Sequence, residues 1–432
     1  MKFQPPKGTR DFLPEEMIRR EFVINKIKKV FVNYGFDPLE TPIFESWKTL
    51  TAKCGEDIKQ QIFKFKDKAN RGLGLRFDLT VGMARVIANN PQLPKPFKRY
   101  FIAPAWRYEE ITAGRKREFY QGDVDIVGTE SMEAEAECIA CSVDCLRSLG
   151  FEEFQIVINN RKILDGLLKL ADIPSEKNLD VFRVVDKLKK IGKEGVEKEL
   201  EKIGLDGKQV EKLLNLVTIK GKPEEIGEKG RKLLKGIRVA EEGIKELDEI
   251  FETGKLYGFS DFLVIDFSLS RGLDYYTGPI FEITVKTKRQ IGSVAGGGRY
   301  DNLIELLGGR PTPATGISLG IERIIEIMKD EKMLVLPKTK VKVFVASVNE
   351  KVKNEVIKIM QDLRGQGISC QADLMDRSLT KQLEFADSLG IPFCLIVGEK
   401  ELEEKKFKLK DMEKKTEKEL KLEEVIELLK KL

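Results

Sequence analysis

Acidic, amide and basic side chains alternate along two strand-like segments in the first third of the chain. WRYEE carries Arg107, and REFYQGDVDIVG carries Gln121, Asp123 and Asp125 at every second position. If both segments keep the two-residue period of a strand, these four side chains fall on one face of a sheet. Burying such a face without a polar ligand is costly, which favours a binding site over the alternative, an open and hydrated sheet face.

Three further segments combine glycines with polar side chains. SVAGGGRYD has three successive glycines, which let a backbone approach a ligand closely, and it matches neither a P-loop nor a dinucleotide-binding motif. RGLDYYTG joins Arg271 to Tyr275 and Tyr276, although a turn with aromatic anchors is an equal alternative. GISLGIERI places Arg323 at a helix start, where the helix dipole disfavours a cation. That position suggests contact with a ligand, and a surface arginine is equally possible.

The chain contains no histidine. This excludes Ser-His-Asp triads, general acid–base catalysis by histidine, and metal sites built on imidazole. Any chemistry must rely on carboxylates, arginine, lysine, tyrosine, backbone dipoles or a bound metal.

Cys138, Cys141 and Cys145 share one face of a predicted helix. They could be three zinc ligands or three small apolar residues packed on a sheet. We favour packing, because no fourth ligand lies nearby in the sequence. The six cysteines do not form a disulfide framework in a chain of this size, which predicts a reducing compartment.

Length and charge limit the class of protein. A chain of 432 residues predicts two to three domains, and a net charge of +5 excludes a generally basic coat for nucleic acid. An RNA partner would therefore be held by local patches of positive charge.

The N-terminal segment lacks the apolar core of a signal peptide, and no segment is long enough to span a bilayer. We expect a cytoplasmic protein with no membrane partner.

The elements that would position these residues fall into three regions. Residues 1–158 and 256–332 mix helices with a predicted antiparallel hairpin, which indicates an α+β domain with an antiparallel sheet rather than a Rossmann fold. Residues 159–255 are rich in Lys and Glu and read as a helical insertion. Residues 338–432 alternate strands and helices, as in a small α/β domain with βαβ crossovers. Their tail, from Glu399 onward, is interpreted as ending in a solvated helix.

Taken in order, these segments resemble the class II aminoacyl-tRNA synthetases, and the histidyl-tRNA synthetase family in particular. TPIFE, with Pro42, resembles the first class motif, a strand at a dimer interface. WRYEE through DVDIVG resembles the second motif and GISLGIERI the third. RGLDYYTG, SVAGGGRYD and the opening KGTRDFLP resemble segments typical of the histidyl enzymes. The resemblance implies a six-stranded antiparallel catalytic sheet, a helical insertion and a C-terminal anticodon-binding domain.

The resemblance also implies roles for individual residues. The predicted catalytic residues are Arg107, Arg271 and Arg323. The predicted histidine-binding residues are Asp78, Leu79, Thr80, Gln121, Asp125, Arg271, Tyr275 and Tyr276, with Asp125 and Tyr276 on the imidazole. The predicted ATP-binding residues are Arg107, Glu109 and Arg323.

The implied reaction joins L-histidine to tRNA(His) through a histidyl-adenylate, with ATP as substrate, Mg²⁺ on the phosphates and a homodimer as the assembly. Guanidinium groups suit this chemistry because they stay charged and bind two oxygens at once. No protein side chain is predicted as a metal ligand. The competing hypotheses are a catalytically inactive regulatory or tRNA-binding paralogue, and a class II synthetase for another amino acid.

Overall fold

The computed structural model describes residues 3–52, 55–111, 116–271, 274–287, 292–334 and 336–431. These residues form two compact units. The first contains the segment up to Arg10 together with Phe22–Met333, and the second contains Asp11–Glu21 together with the residues from Leu334 onward. Across the described ranges, no helix is long and apolar enough to cross a membrane.

A large mixed sheet is the centre of the first unit. The strands of this unit are β1 (Asp37–Pro38), β2 (Phe44–Ser46), β3 (Lys64–Lys66), β4 (Gly72–Leu75), β5 (Phe97–Trp106), β6 (Glu118–Val127), β7 (Phe154–Asn160), β8 (Lys220–Gly221), β9 (Leu263–Asp266), β10 (Pro279–Val285), β11 (Ala295–Arg299) and β12 (Ala314–Gly320). Nine of these described strands form one sheet in the order β1-β5-β6-β12-β11-β10-β7-β9-β8. The strands from β5 to β7 in that order all pair antiparallel, while β1 joins β5 and β9 joins β7 in parallel. The predicted antiparallel sheet is thus confirmed as the centre of a wider sheet.

Helices cover this sheet and make up most of the segment between β7 and β9, which also contains the short strand β8. The helices up to Asp330 are α1 (Pro14–Asn33), α2 (Trp47–Leu50), α3 (Glu56–Gln61), α4 (Thr80–Asn89), α5 (Glu133–Ser148), α6 (Arg161–Leu170), α7 (Asn178–Asp186), α8 (Leu188–Lys202), α9 (Gly207–Val217), α10 (Pro223–Leu233), α11 (Arg238–Tyr257), α12 (Leu303–Leu306) and α13 (Ile321–Asp330). Helices α6 to α11 occupy the predicted helical insertion. Its treatment as a separate domain with boundaries at 159 and 255 stays a prediction.

Helix α5 packs against β6 and β12 and carries the three clustered cysteines. Cys138, Cys141 and Cys145 are fully buried, and burial raises the pKa of the Cys138 and Cys141 thiols well above the ordinary value. Thiols that resist ionisation in an apolar setting agree with the packing interpretation.

The segment around Pro42 differs from its predicted form. The strand predicted across TPIFE begins only at Phe44, and β2 pairs with β4 in a separate small sheet of order β2-β4-β3. Proline has no N–H to donate to a strand ladder, so the regular pairing starts after it.

The second unit is built on a five-stranded sheet. Its elements are β13 (Val343–Ser347), α14 (Lys353–Gly365), β14 (Cys370–Ala372), α15 (Leu379–Ser388), β15 (Phe393–Val397), α16 (Glu399–Glu404), β16 (Phe407–Asp411), β17 (Thr416–Leu420) and α17 (Leu422–Lys430). Strands β14, β13 and β15 pair in parallel, which confirms the predicted βαβ crossovers.

The tail of this unit ends in a helix, as the sequence indicated, but the two strands before that helix were not predicted. These strands, β16 and β17, form a hairpin. Phe407 and Leu409 are buried at a two-residue spacing. The lysines and glutamates around them mask this short period in the sequence.

Candidate active site

Strand β6 carries a row of buried polar side chains in the centre of the sheet. The solvent-exposed fractions of Gln121, Asp123 and Asp125 are only 8%, 2% and 2%. Arg107 follows directly after β5, and all four residues line one cavity. The structure therefore brings together the face that the two-residue period predicted.

An outer cavity of about 190 Å³ collects the three predicted catalytic arginines. Arg107, Arg271 and Arg323 all lie in its wall. Arg107 Nε donates to the Phe77 carbonyl at 2.9 Å, and Arg323 Nη1 donates to the Ser293 carbonyl at 2.7 Å. These bonds hold two guanidinium groups at the rim of a space that suits a polyanion.

Arg271 reaches this cavity from a backbone in the left-handed region, with φ of 55°. Its Nη1 lies 3.3 Å from the Phe281 carbonyl and 3.3 Å from Glu282 Oε1. Burial opposes its charge, yet the nearby Tyr276 and Glu282 raise the pKa of the guanidinium above its ordinary value. A permanent cation is thus placed at the inner end of the outer cavity.

Glycine at position 296 is needed for this arrangement. A Cβ there would lie 1.7 Å from Arg271 Nη1, which no real structure tolerates. The first glycine of the AGGG run therefore makes room for the arginine.

An inner cavity of about 50 Å³ lies at the same end of the sheet. It shares Arg107, Gln121 and Arg271 with the outer cavity. Its remaining wall is rich in carboxylates and phenols, from Asp78, Asp123, Asp125, Tyr275, Tyr276 and Tyr300, and it also contains the hydroxyl of Thr80. The two spaces therefore meet at a basic junction, with an acidic and aromatic end on one side.

Asp125, in the wall of the inner cavity, is held by two partners. Tyr300 donates its hydroxyl to Asp125 Oδ1, and Arg99 Nη2 lies 2.5 Å from Asp125 Oδ2. Arg99 is fully buried and stands opposite Asp125 in the pairing of β5 with β6. Neither Arg99 nor Tyr300 was singled out from the sequence, although both lie within or beside segments that were.

Asp78 and Gln121 form the other polar contacts of this end. Asp78 Oδ1 accepts from the Val81 N–H at the start of α4, and the Tyr275 hydroxyl donates to Asp78 Oδ2 at 3.3 Å. Gln121 Nε2 donates to Ser318 Oγ at 2.7 Å, while its Oε1 has no hydrogen-bond partner among the described residues. An unpaired buried acceptor next to two carboxylates suits a cationic ligand group.

Burial shifts the titration of the carboxylates in this cavity. It raises the pKa of Asp78 and of Asp125, and it raises the pKa of Asp123 to about 7. The charge of Arg99 opposes the rise at both Asp123 and Asp125. A positively charged ligand would favour the ionised forms in the same way.

Of the remaining predicted residues, two line the cavities and one does not. Thr80 lines the inner cavity and Glu109 the outer one. Leu79 lines neither cavity, because its fully buried side chain packs with Phe101 and Ala103. The outer wall adds Glu322, whose Oε2 accepts from the Tyr120 N–H at 2.6 Å. Glu322 lies within GISLGIERI, beside the predicted Arg323.

Comparison with known proteins agrees with this geometry. Residues 8–324 match the family described as histidyl-tRNA synthetase, and residues 342–432 match an anticodon binding domain. The histidine–tRNA ligase of Pyrococcus furiosus is 39% identical over 425 residues, covering 98% of each chain. The histidine–tRNA ligase of Aeropyrum pernix is 42% identical over 403 residues, covering 93% of this chain and 91% of the relative.

Solved structures agree as well. The histidyl-tRNA synthetase of Nostoc sp. PCC 7120 superimposes with a TM-score of 0.86 at 31% identity, covering 100% of this chain and 99% of that one. A Bacillus halodurans chain described as an ATP phosphoribosyltransferase regulatory subunit/histidyl-tRNA synthetase reaches 0.78 at 23% identity, covering 92% of this chain and 99% of that one. The second likeness bears on the fold alone.

Proposed function

Because the chain belongs to the histidyl-tRNA synthetase family, we propose that it attaches L-histidine to tRNA(His) in an ATP-dependent reaction through a histidyl-adenylate. The observation that carries this proposal is the junction of the two cavities. Arg107, Gln121 and Arg271 stand where an acidic, aromatic space opens into a space rimmed by arginines. An amino acid and a nucleotide seated in these two spaces would meet at their carboxylate and α-phosphate.

In the first step, a carboxylate oxygen of histidine attacks the α-phosphorus of ATP, and the bond to pyrophosphate breaks. Arg107 and Arg271 stabilise the negative charge that develops on the phosphoryl oxygens, and Arg323 binds the nucleotide. In the second step, a hydroxyl of the terminal adenosine of tRNA attacks the acyl carbon, and AMP leaves. Positioning and fixed charge carry the reaction, so the lack of histidine in the chain is no obstacle.

The inner cavity would bind the amino acid. Asp78, Thr80 and Gln121 are proposed to hold its α-ammonium group, supported by the free Gln121 Oε1 and by the buried Asp78 carboxylate. Asp125 and Tyr276 are proposed to contact the imidazole, with Tyr275 as a wall of the pocket. Leu79 would contribute through its backbone only, because its side chain packs in the core.

Mg²⁺ is proposed to accompany the phosphates of ATP. Glu109 and Glu322 are carboxylates in the wall of the outer cavity, and carboxylate and phosphate oxygens are the ligands that Mg²⁺ prefers. Within the described ranges, no group of three metal-ligating side chains is close enough to hold an ion. The two glutamates would thus share the ion with phosphate oxygens, and the ion would neutralise part of the phosphate charge.

The remaining partners follow from the same proposal. The match of residues 342–432 to an anticodon binding domain supports a tRNA partner. A homodimer is proposed on the resemblance of TPIFE to a dimer-interface motif, and light scattering of the purified protein tests it. Action in the cytoplasm is proposed because tRNA charging takes place there.

ATP–pyrophosphate exchange with each of the twenty amino acids tests the amino acid specificity. Histidine alone should support rapid exchange, because the pocket offers carboxylates and phenols to a ring with N–H groups. Comparable exchange with proline or threonine would overturn the assignment. An inactive paralogue would give no exchange and no charged tRNA. The presence of all three predicted arginines in one cavity favours the active enzyme.

A further inference from the structure

Asp123 is a buried carboxylate in the inner cavity to which the reaction described above assigns no task. It retains 2% of its exposure and lies on β6 between Gln121 and Asp125. Its Oδ1 has no hydrogen-bond partner among the described residues, although that oxygen is shielded from solvent. A buried acceptor left unpaired is costly, so such an atom in a cavity wall points to a donor on a ligand.

The neighbouring Asp125 is already occupied. Its Oδ1 accepts the Tyr300 hydroxyl, and its Oδ2 faces the Arg99 guanidinium. These contacts orient Asp125 and leave less of its acceptor capacity for a ligand. Asp125 Oδ2 also lacks a hydrogen bond of good geometry, but Arg99 compensates its charge, and Ser318 contributes a hydrogen bond to the Asp123 carboxyl group. Among the described residues, Asp123 Oδ1 is therefore the carboxylate oxygen on this strand with neither a hydrogen bond nor an ion pair.

The order of residues along β6 shows which part of the ligand Asp123 would meet. Gln121 lines both cavities, whereas Asp123 and Asp125 line only the inner one. The carboxylate of an amino acid must lie at the junction with the arginines, so its α-ammonium group falls near Gln121. Its side chain must then extend along β6 toward the two aspartates and Tyr300.

We propose that Asp123 is a second specificity-determining carboxylate, whose Oδ1 accepts a hydrogen bond from an imidazole N–H of the bound histidine. This inference rests on the proposed function. Asp125, held by Arg99 and Tyr300, completes the polar surface around the ring. A site with two carboxylates for the ring rejects side chains without N–H groups, because the carboxylates would be left unpaired.

The test compares the wild-type protein with Asp123→Asn in ATP–pyrophosphate exchange. Asparagine keeps the shape but removes the negative charge and replaces one of the two acceptor oxygens by an N–H donor. We expect KM for histidine to rise tenfold or more, with KM for ATP within twofold of the wild-type value. β-(2-Thienyl)alanine, whose ring has no N–H, is measured as an inhibitor of the same reaction. The ratio of its inhibition constant to KM for histidine should fall tenfold or more in the variant, because KM for histidine rises while the inhibition constant changes little.

Asp144→Asn is the matched control. Asp144 lies on α5, accepts the Tyr34 hydroxyl and lines neither cavity. It should leave all three constants unchanged. If Asp123→Asn does not fold, as judged by thermal melting, Asp123→Ser replaces it, because serine is polar but too short to reach the ring.

Three results would overturn the proposal. An unchanged KM for histidine with an altered melting temperature would mean that Asp123 acts only within the sheet. Equal weakening of histidine and thienylalanine would mean that Asp123 binds the α-ammonium group. A wild-type protein that gives no exchange with histidine would remove the proposed function itself, a failure visible before any variant is measured.

Discussion

Arg99 and Asp125 stand directly opposite each other on β5 and β6, and their side chains form an ion pair of 2.5 Å with 0% and 3% exposure. Arg99 is the cation that offsets the carboxylates of Asp123 and Asp125, since its charge lowers the pKa of both against the effect of burial. The acidic end of the inner cavity can therefore exist in the folded chain before any ligand binds.

Replacing Arg99 by leucine should destabilise the protein strongly. The change leaves a buried carboxylate without its counter-charge, which costs about 3–5 kcal/mol in the free energy of unfolding. Urea denaturation of the variant measures this loss. The control is Arg231→Leu, because Arg231 forms an ion pair of the same 2.5 Å with Asp248 at exposures of 54% and 45%. That surface pair should contribute less than about 1 kcal/mol, and equal losses in the two variants would contradict the account.

Asp123 should make the folded chain less stable as pH rises. An unfolded aspartate titrates near pH 4, whereas burial raises the pKa of folded Asp123 to about 7. Between these values the folded state binds more protons than the unfolded state, so the stability from this group falls as pH increases. Arg99 on β5, Asp125 on β6, Asp78 before α4 and Ser318 on β12 are the groups that set this pKa.

The measurement is the free energy of unfolding of wild type and Asp123→Asn at pH 5 and pH 8. Relative to wild type, the variant should gain about 2–4 kcal/mol between the two pH values. Because the chain has no histidine, the side chain that ordinarily titrates in this range is absent from the background. Parallel pH profiles for the two proteins would show that Asp123 is ionised throughout.

Arg271→Ala should reduce kcat for adenylate formation by about a hundredfold or more, with a much smaller effect on KM for ATP. The guanidinium is expected to stabilise charge that is largest in the transition state, so its loss acts on kcat. Steady-state ATP–pyrophosphate exchange separates the two constants. An effect on KM alone would show that Arg271 only binds the ground state.

Gly296→Ala should reproduce much of the Arg271 effect without removing the arginine. The new methyl group would occupy the position of Arg271 Nη1 and displace the guanidinium. Gly207→Ala is the matched control, since a Cβ at the start of α9 meets no atom within 4 Å. Full activity in Gly296→Ala would mean that the observed position of Arg271 is not needed for the reaction.

A chain ending at Pro337 should still form histidyl-adenylate but charge tRNA poorly. The residues of both cavities lie before this point, and the match to an anticodon binding domain lies after it. Exchange and aminoacylation are measured on the same sample, with circular dichroism as the check of folding. Undiminished charging of tRNA at moderate salt would refute the role assigned to the second unit.

Local sequence patterns were enough to predict much of this protein. The two-residue alternation of Gln121, Asp123 and Asp125 placed them on one face, because a strand turns its side chains by half a turn at each residue. The βαβ order of the second unit could be predicted because apolar residues recur every 2.0 residues in its strands and every 3.6 residues in its helices. The hairpin of β16 and β17 was missed because charged residues hide a period carried by only two apolar side chains.

Only the tertiary structure decided which partners these residues have. Tyr300 reaches Asp125 across 175 positions of the chain, and Arg99 meets it because β5 and β6 pair in one particular register. A strand period gives the face of a residue but not the strand beside it, since register depends on the packing of the whole sheet. The same packing places Gly296 against the Arg271 guanidinium group, and it leaves Oδ1 of Asp123 without a hydrogen bond in the cavity wall.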